Sequence, residues 1–189
     1  MCWGFRFSIP LNAKASGIQA ARAYHQRASS SGRSIPYLER RNGTPEWKVD
    51  RYGLMLKLGR NGRLFWNAKR EALKTNEHWA RLMRQRVAIP VDAYVESSPC
   101  RTWHAGERAW IPGLVDLDHD GGIVTITEPS SSGGQPILLT QAAAMAWLDA
   151  HPWDAVETLS GDRIPFTKSD IFLSAALDRE MSSKAALAA

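Results

Sequence analysis

The chain has 189 residues, enough for one domain of ordinary size, and its 44% apolar content is that of a globular protein with a real core. Two cysteines exclude a secreted disulfide framework, no apolar run approaches a membrane span, and the opening "MCWGFRFSIPL" is not a signal peptide, so a soluble, cytoplasmic protein is expected. Net charge is +5, but residues 1–90 hold 18 Lys/Arg against 5 Asp/Glu and residues 91–189 hold 6 against 14, which points a basic face at a polyanion.

A short N-terminal strand is followed by "NAKASGIQAARAYHQRA", a predicted helix with Asn12 as N-cap. "SSSGRS" then reads as a mobile loop. "EWKVDRYGLMLKL" has strand character, and "GRNGRLFW" carries an Asn-Gly hairpin signal. "REALKTNEHWARLMRQR" is helical in pattern, with Leu73, Trp79, Leu82 and Met83 on its buried side. "VAIPVDAYVES" is a strand in which Pro90 marks a bulge or an edge. "AWIPGLVDL", "DHDGG" and "IVTIT" read as strand, turn and strand, and "PILLT" as one more short strand. "QAAAMAWLDA" is a helix capped by Thr140, with further short helices near 153–158 and 168–180. Strands and helices mixed without βαβ alternation indicate one α+β domain over residues 1–180. Residues 181–189 read as a flexible tail.

"DLDHDGG" has the opening of a calcium loop, but Thr127 stands where a bidentate Glu is required and a strand follows instead of a helix. A hairpin turn is the better reading. Cys100 and His104 lack metal-ligand spacing, and no P-loop, dinucleotide fingerprint or serine-hydrolase elbow occurs, so no metal and no cofactor is expected.

Three segments can carry chemistry. Cys2 is small enough for removal of Met1, which would leave an α-amine and a thiol on one residue. Such an amine, with a pKa of about 7.7–8.0, is partly unprotonated at neutral pH, and imine formation with an aldehyde can be followed by closure of a thiazolidine ring. The alternative is an ordinary small residue in a strand. In "WNAKREAL", Asn67 could orient a sugar or amine and Lys69 and Arg70 could hold phosphates; a helix cap and a solvated basic surface are the alternatives. In "RQRVAIPVDAYVES", Glu96 could move protons, or be a surface carboxylate. The charge halves, likewise, could simply neutralise each other.

Together these segments resemble the SOS response-associated peptidase (SRAP) family, whose members shield abasic sites in single-stranded DNA. The family's Met-Cys start is present. Its Asn-Ala-Arg-x-Glu motif is matched by Asn67, Ala68, Lys69, Arg70 and Glu71, and its Ile-Pro-x-Asp-x-aromatic-x-Glu motif by Ile89, Pro90, Asp92, Tyr94 and Glu96. "RYGLM" matches a Trp-Gly-Leu segment with Tyr52 for Trp. "GLVD", "PILLT" and "AWLD" echo later segments in the same order.

The resemblance implies a bent, barrel-like, mainly antiparallel sheet with flanking helices. It implies a monomer that binds single-stranded or junction DNA and crosslinks abasic sites as a thiazolidine. Cys2 would be the nucleophile, Asn67 would position it and Glu96 would be the acid/base. Arg51, Lys69 and Arg70 would hold phosphates, with Tyr52 and Trp66 stacking on bases. A self-processing, peptidase-like activity and a non-covalent DNA-binding module are the alternatives. One departure is marked: in "SGGQP", Ser132 stands where the family carries a histidine.

Overall fold

The computed structural model describes residues 3–7, 24–27, 34–58, 61–97, 100–118, 121–129 and 134–164. Cys2, Ser132, residues 12–23 of the Asn12-capped stretch, the predicted helix at 168–180 and the tail at 181–189 lie outside the described residues.

The apolar runs of this chain are short, β-rich and punctuated by Gly, Asn and Pro, and the described residues form eleven strands. These are β1 (Trp3–Phe7), β2 (Tyr24–Arg27), β3 (Ser34–Arg41), β4 (Thr44–Arg51), β5 (Leu54–Leu58), β6 (Asn61–Phe65), β7 (Asn67–Lys69), β8 (Arg86–Ser97), β9 (Cys100–Val115), β10 (Ile123–Glu128) and β11 (Gln135–Pro136). Among the described residues three short helices accompany them: α1 (Glu77–Leu82), α2 (Gln141–Asp149) and α3 (Ala155–Thr158), with a 3-10 turn at Arg70–Ala72. The architecture is α+β with a mainly antiparallel sheet. Its main path runs β11-β10-β9-β8-β1-β2, with β3–β4 branching from β8 and β7 from β10. Strands β5 and β6 form a separate hairpin.

The spine is the β8–β9 ribbon. Its register holds from Arg86↔Leu114 to Val91↔Ala109, then resumes at Ala93↔His104, so two residues of β8 span five of β9. Irregularities of this kind bend a strand and increase its twist. The same point is where β8 changes its second neighbour, from β3 at Val87 and Ala88 to β1 at Ala93–Glu96. Pro90 sits in that gap. Its partner Trp110 exchanges both backbone hydrogen bonds with Leu139, so the donor that Pro90 lacks would face the edge between β3 and β1.

Period-two alternation divides the core into two layers. Val87, Ile89 and Val91 of β8 pack with Ala109, Ile111 and Val115 of β9 on one face. Ala88, Trp110 and Leu114 pack on the other with Leu73, Trp79, Leu82, Met83 and the helices. A sheet covered on both faces reads as a near-continuous apolar run, which explains why both Val124 and Ile123 are buried. Trp147 of α2 is fully buried and donates its Nε1–H to Val87 O at 3.0 Å. Arg86 closes the end of α2 by donating to the carbonyls of Trp147 at 2.7 Å and Leu148 at 3.1 Å, and to Ala150. These are carbonyls that the helix cannot satisfy itself. Thr140 caps the start of α2, accepting from Ala143 N.

Three expectations are corrected. Residues 24–27, placed in a helix by pattern, form β2 against β1, because a strand edge offers them backbone partners. The Asn-Gly signal at 61–62 is not a turn: both residues lie in β6, paired with Leu58 and Lys57. The Asn-Gly turn is at Asn42 and Gly43, with φ of 50° and 79°, the two positive values that a two-residue hairpin loop requires. The sheet is not closed into a barrel among the described residues. The main path ends at β2 and β11, which do not pair.

Candidate functional site

Strand β10 organises a polar cluster, because both of its edges are used. Thr125 pairs with Gly113 of β9 on one side and in parallel with Asn67 of β7 on the other. The chain just before β5 docks on the same edge as β7: Tyr52 bridges to Ile123, and Gly53 N–H donates to Ile123 O at 2.8 Å. Thus Tyr52, Trp66, Asn67 and Thr125, which are far apart in sequence, share one neighbourhood.

The hydrogen bonds there form a short chain. Thr125 is fully buried, and its hydroxyl donates to Asn67 Oδ1 at 2.7 Å. The Tyr52 hydroxyl lies 3.4 Å from Thr125 Oγ1. Burial pushes the Tyr52 phenol well above its ordinary pKa, so the phenol stays protonated. Asn67 is half-buried, and with its oxygen committed to Thr125 its Nδ2 has no acceptor among the described residues.

Trp66 is half-buried and packs on Tyr52, with ring centroids 5.3 Å apart. It lies over Gly53, where a Cβ would come within 2.8 Å of Trp66 Cζ3. Of the two rings proposed to stack on bases, Trp66 is the one with exposed surface. Tyr52 is corrected: it is 2% exposed, held inside by the Ile123 bridge, and cannot present a face to a ligand.

The basic candidates also divide. Lys69 is exposed on β7. Arg70 turns to α3, donating to Ser160 Oγ and to Val156 O at 3.5 Å, so its fork serves packing. Arg51 is half-buried at the end of β4. Part of the charge asymmetry is satisfied within the fold. Arg40 pairs with Asp149, Lys74 with Glu157 at 2.9 Å, and Arg81 with Asp116 at 3.2 Å and Asp118 at 3.5 Å. Asp116 is 2% exposed and accepts from Asp118 N–H, and its own N–H donates to Gly122 O at 3.1 Å where β9 and β10 pair antiparallel, in keeping with the hairpin reading of "DLDHDGG". No group of three metal-ligating side chains occurs among the described residues.

Backbone register places the third element. Strand β1 lies antiparallel to β8 with Trp3 opposite Glu96, so the residue after Cys2 is beside Glu96. Asn67 belongs to a different row, Asn67–Thr125–Gly113–Val87, and Val87 is nine residues from Glu96 along β8. The register therefore joins Trp3 to Glu96 and joins Asn67 to Thr125, with the β8–β9 irregularity between the two groups. Thr125 is absent from the sequence-derived site. Its signal was a threonine in the "IVTIT" strand at a position flanked by buried aliphatics, where a hydroxyl needs a partner.

No family model and no curated protein matches the sequence. Solved structures do resemble the fold. A phage-related protein from Bordetella bronchiseptica is 19% identical with a TM-score of 0.63, covering 87% of this chain and 91% of that one. A protein from Bacteroides thetaiotaomicron is 17% identical with a TM-score of 0.58, covering 82% and 86%. At these identities the likeness establishes the fold alone. No helix among the described residues is long and apolar enough to cross a membrane.

Proposed function

We propose that this protein binds single-stranded or junction DNA and captures abasic sites through the Cys2 aminothiol. The observation that carries the reading is the register of β1 on β8, which sets Trp3, the neighbour of Cys2, opposite Glu96. The α-amine of Cys2, freed by removal of Met1, attacks the aldehyde carbon of the ring-opened sugar. Loss of water gives an imine. The Cys2 thiol then adds across it as Sγ bonds to carbon and the nitrogen regains a proton, so the balance is one water released. Glu96 carries protons in these steps. Lys69 supplies a phosphate contact and Trp66 an aromatic face for a base.

The test is incubation with abasic single-stranded DNA and a denaturing gel, after an intact mass has checked that Cys2 is the first residue. A heat-stable adduct is expected from the parent and none from Cys2→Ala. An equal adduct from Cys2→Ala would refute the chemistry. A second reading, a non-covalent DNA-binding module, is favoured by Ser132 at the family's histidine position, because a hydroxyl does not take up a proton near neutral pH. DNA binding without an adduct would establish it.

A further inference from the structure

We propose that Thr125, backed by Tyr52, is a positioning residue that locks the Asn67 side-chain amide with its oxygen inward and its NH2 group outward, as a hydrogen-bond donor to the bound sugar or amine. The inference rests on the proposed abasic-site reading for what the donor meets, but not for the orientation itself.

An asparagine amide is two-faced, and its orientation follows from the hydrogen bonds around it. Here the inward partner is a fully buried hydroxyl on a strand fixed along both edges. The Thr125 Oγ1 to Asn67 Oδ1 separation of 2.7 Å is that of O–H···O, shorter than the usual N–H···O contact. The Thr125 hydroxyl has one proton to give. Trp66 O competes for it at 3.4 Å, the weaker geometry. The Tyr52 hydroxyl lies 3.4 Å from Thr125 Oγ1, an equally long contact, and because the threonine proton is engaged by Asn67 at 2.7 Å the phenol is the partner left to donate there. The resulting order, Tyr52 to Thr125 to Asn67, leaves only N–H donors on the outer side of the amide. The reverse order would leave an acceptor there. The two orders predict opposite partners: a donor suits the sugar oxygen of an aldehyde or the lone pair of a free amine, and an acceptor suits an ammonium or a sugar hydroxyl.

The experiment separates them. Asn67→Asp keeps an inward acceptor for Thr125 and removes the outward donor. With the proposed order, Asn67→Asp loses adduct formation as fully as Asn67→Ala, a fall of at least about tenfold in the rate at saturating abasic DNA. Near-parent rates for Asn67→Asp would overturn the proposal. Thr125→Val keeps the shape and removes the hydroxyl. It should lower the saturating rate about tenfold while DNA affinity stays within about twofold, Thr125→Ser should restore it, and Tyr52→Phe should fall between.

A second readout needs no adduct. The side-chain NH2 signals of Asn67 in 1H–15N spectra, assigned through their loss in Asn67→Asp, should move strongly in Thr125→Val and little in Thr125→Ser. Unmoved signals in Thr125→Val would overturn the positioning role even if crosslinking is confirmed. Moved signals with no adduct from the parent would sustain the orientation and refute the chemistry it serves.

Discussion

Gly53→Ala tests how the site is built. Gly53 has φ of 94°, and the added methyl would lie 2.8 Å from Trp66 Cζ3, 3.0 Å from Cε3 and 3.1 Å from Leu64 Cδ1. Positive φ alone costs an L-residue roughly 1–2 kcal/mol. Overlap with a packed ring adds about 1–3 kcal/mol. The sum, about 2–5 kcal/mol, corresponds to a fall in Tm of roughly 4–20 °C for a chain of this size. The assay is thermal and urea unfolding followed by far-UV circular dichroism, run on the parent, Gly53→Ala, Trp66→Ala and the double variant. In the Trp66→Ala background the methyl meets no ring, so only the backbone strain and the Leu64 contact remain. The two changes should therefore be non-additive by about 1–3 kcal/mol, with the double variant more stable than the sum of losses predicts. Additivity within ~0.5 kcal/mol would refute the argument, because it would mean that Trp66 does not rest on Gly53.

Glu96→Gln should slow adduct formation by ~10²–10⁴-fold with DNA affinity nearly unchanged, read from time courses on abasic single strands; equal rates would make Glu96 structural. Lys69→Ala should shallow the salt dependence of DNA binding by about 0.7 in log–log slope, read by fluorescence anisotropy at several salt concentrations. Arg70→Ala should act differently, lowering Tm more than it alters that slope, because Arg70 holds Ser160 and Val156. Tyr37 and Tyr52 should make the protein alkali-sensitive. Both phenols are raised by burial, Tyr37 also by Glu39 and Asp50. The stability they confer as neutral groups is intact below about pH 10 and falls above it by up to ~1.4 kcal/mol per pH unit for each, as the unfolded phenols ionise first. Tyr52→Phe should remove one share of that slope in urea melts between about pH 9 and 12.

The local features of this chain were legible in its sequence because short-range chemistry sets them. Thr140 caps α2 through its own hydroxyl, Leu73, Trp79, Leu82 and Met83 are all buried although the helix there is only α1 (Glu77–Leu82), and β9 and β10 pair antiparallel. Asn67 and Glu96 stood out as candidates through the motifs that contain them. What surrounds them was decided by tertiary structure. Residues 24–27 took a strand because β1 offered an open edge, overriding a helical pattern. Of two Asn-Gly pairs, only the one at 42–43 became a turn, since strand pairing, not the dipeptide, selects which loop must have two positive φ values. Tyr52 went into the core while Trp66 kept an exposed face, a choice made by the docking of Gly53 on Ile123. The partners of Asn67 and Arg70, Thr125 and Ser160, lie 58 and 90 residues further along the chain, and contacts at that separation follow from sheet register and helix packing, which no local pattern encodes.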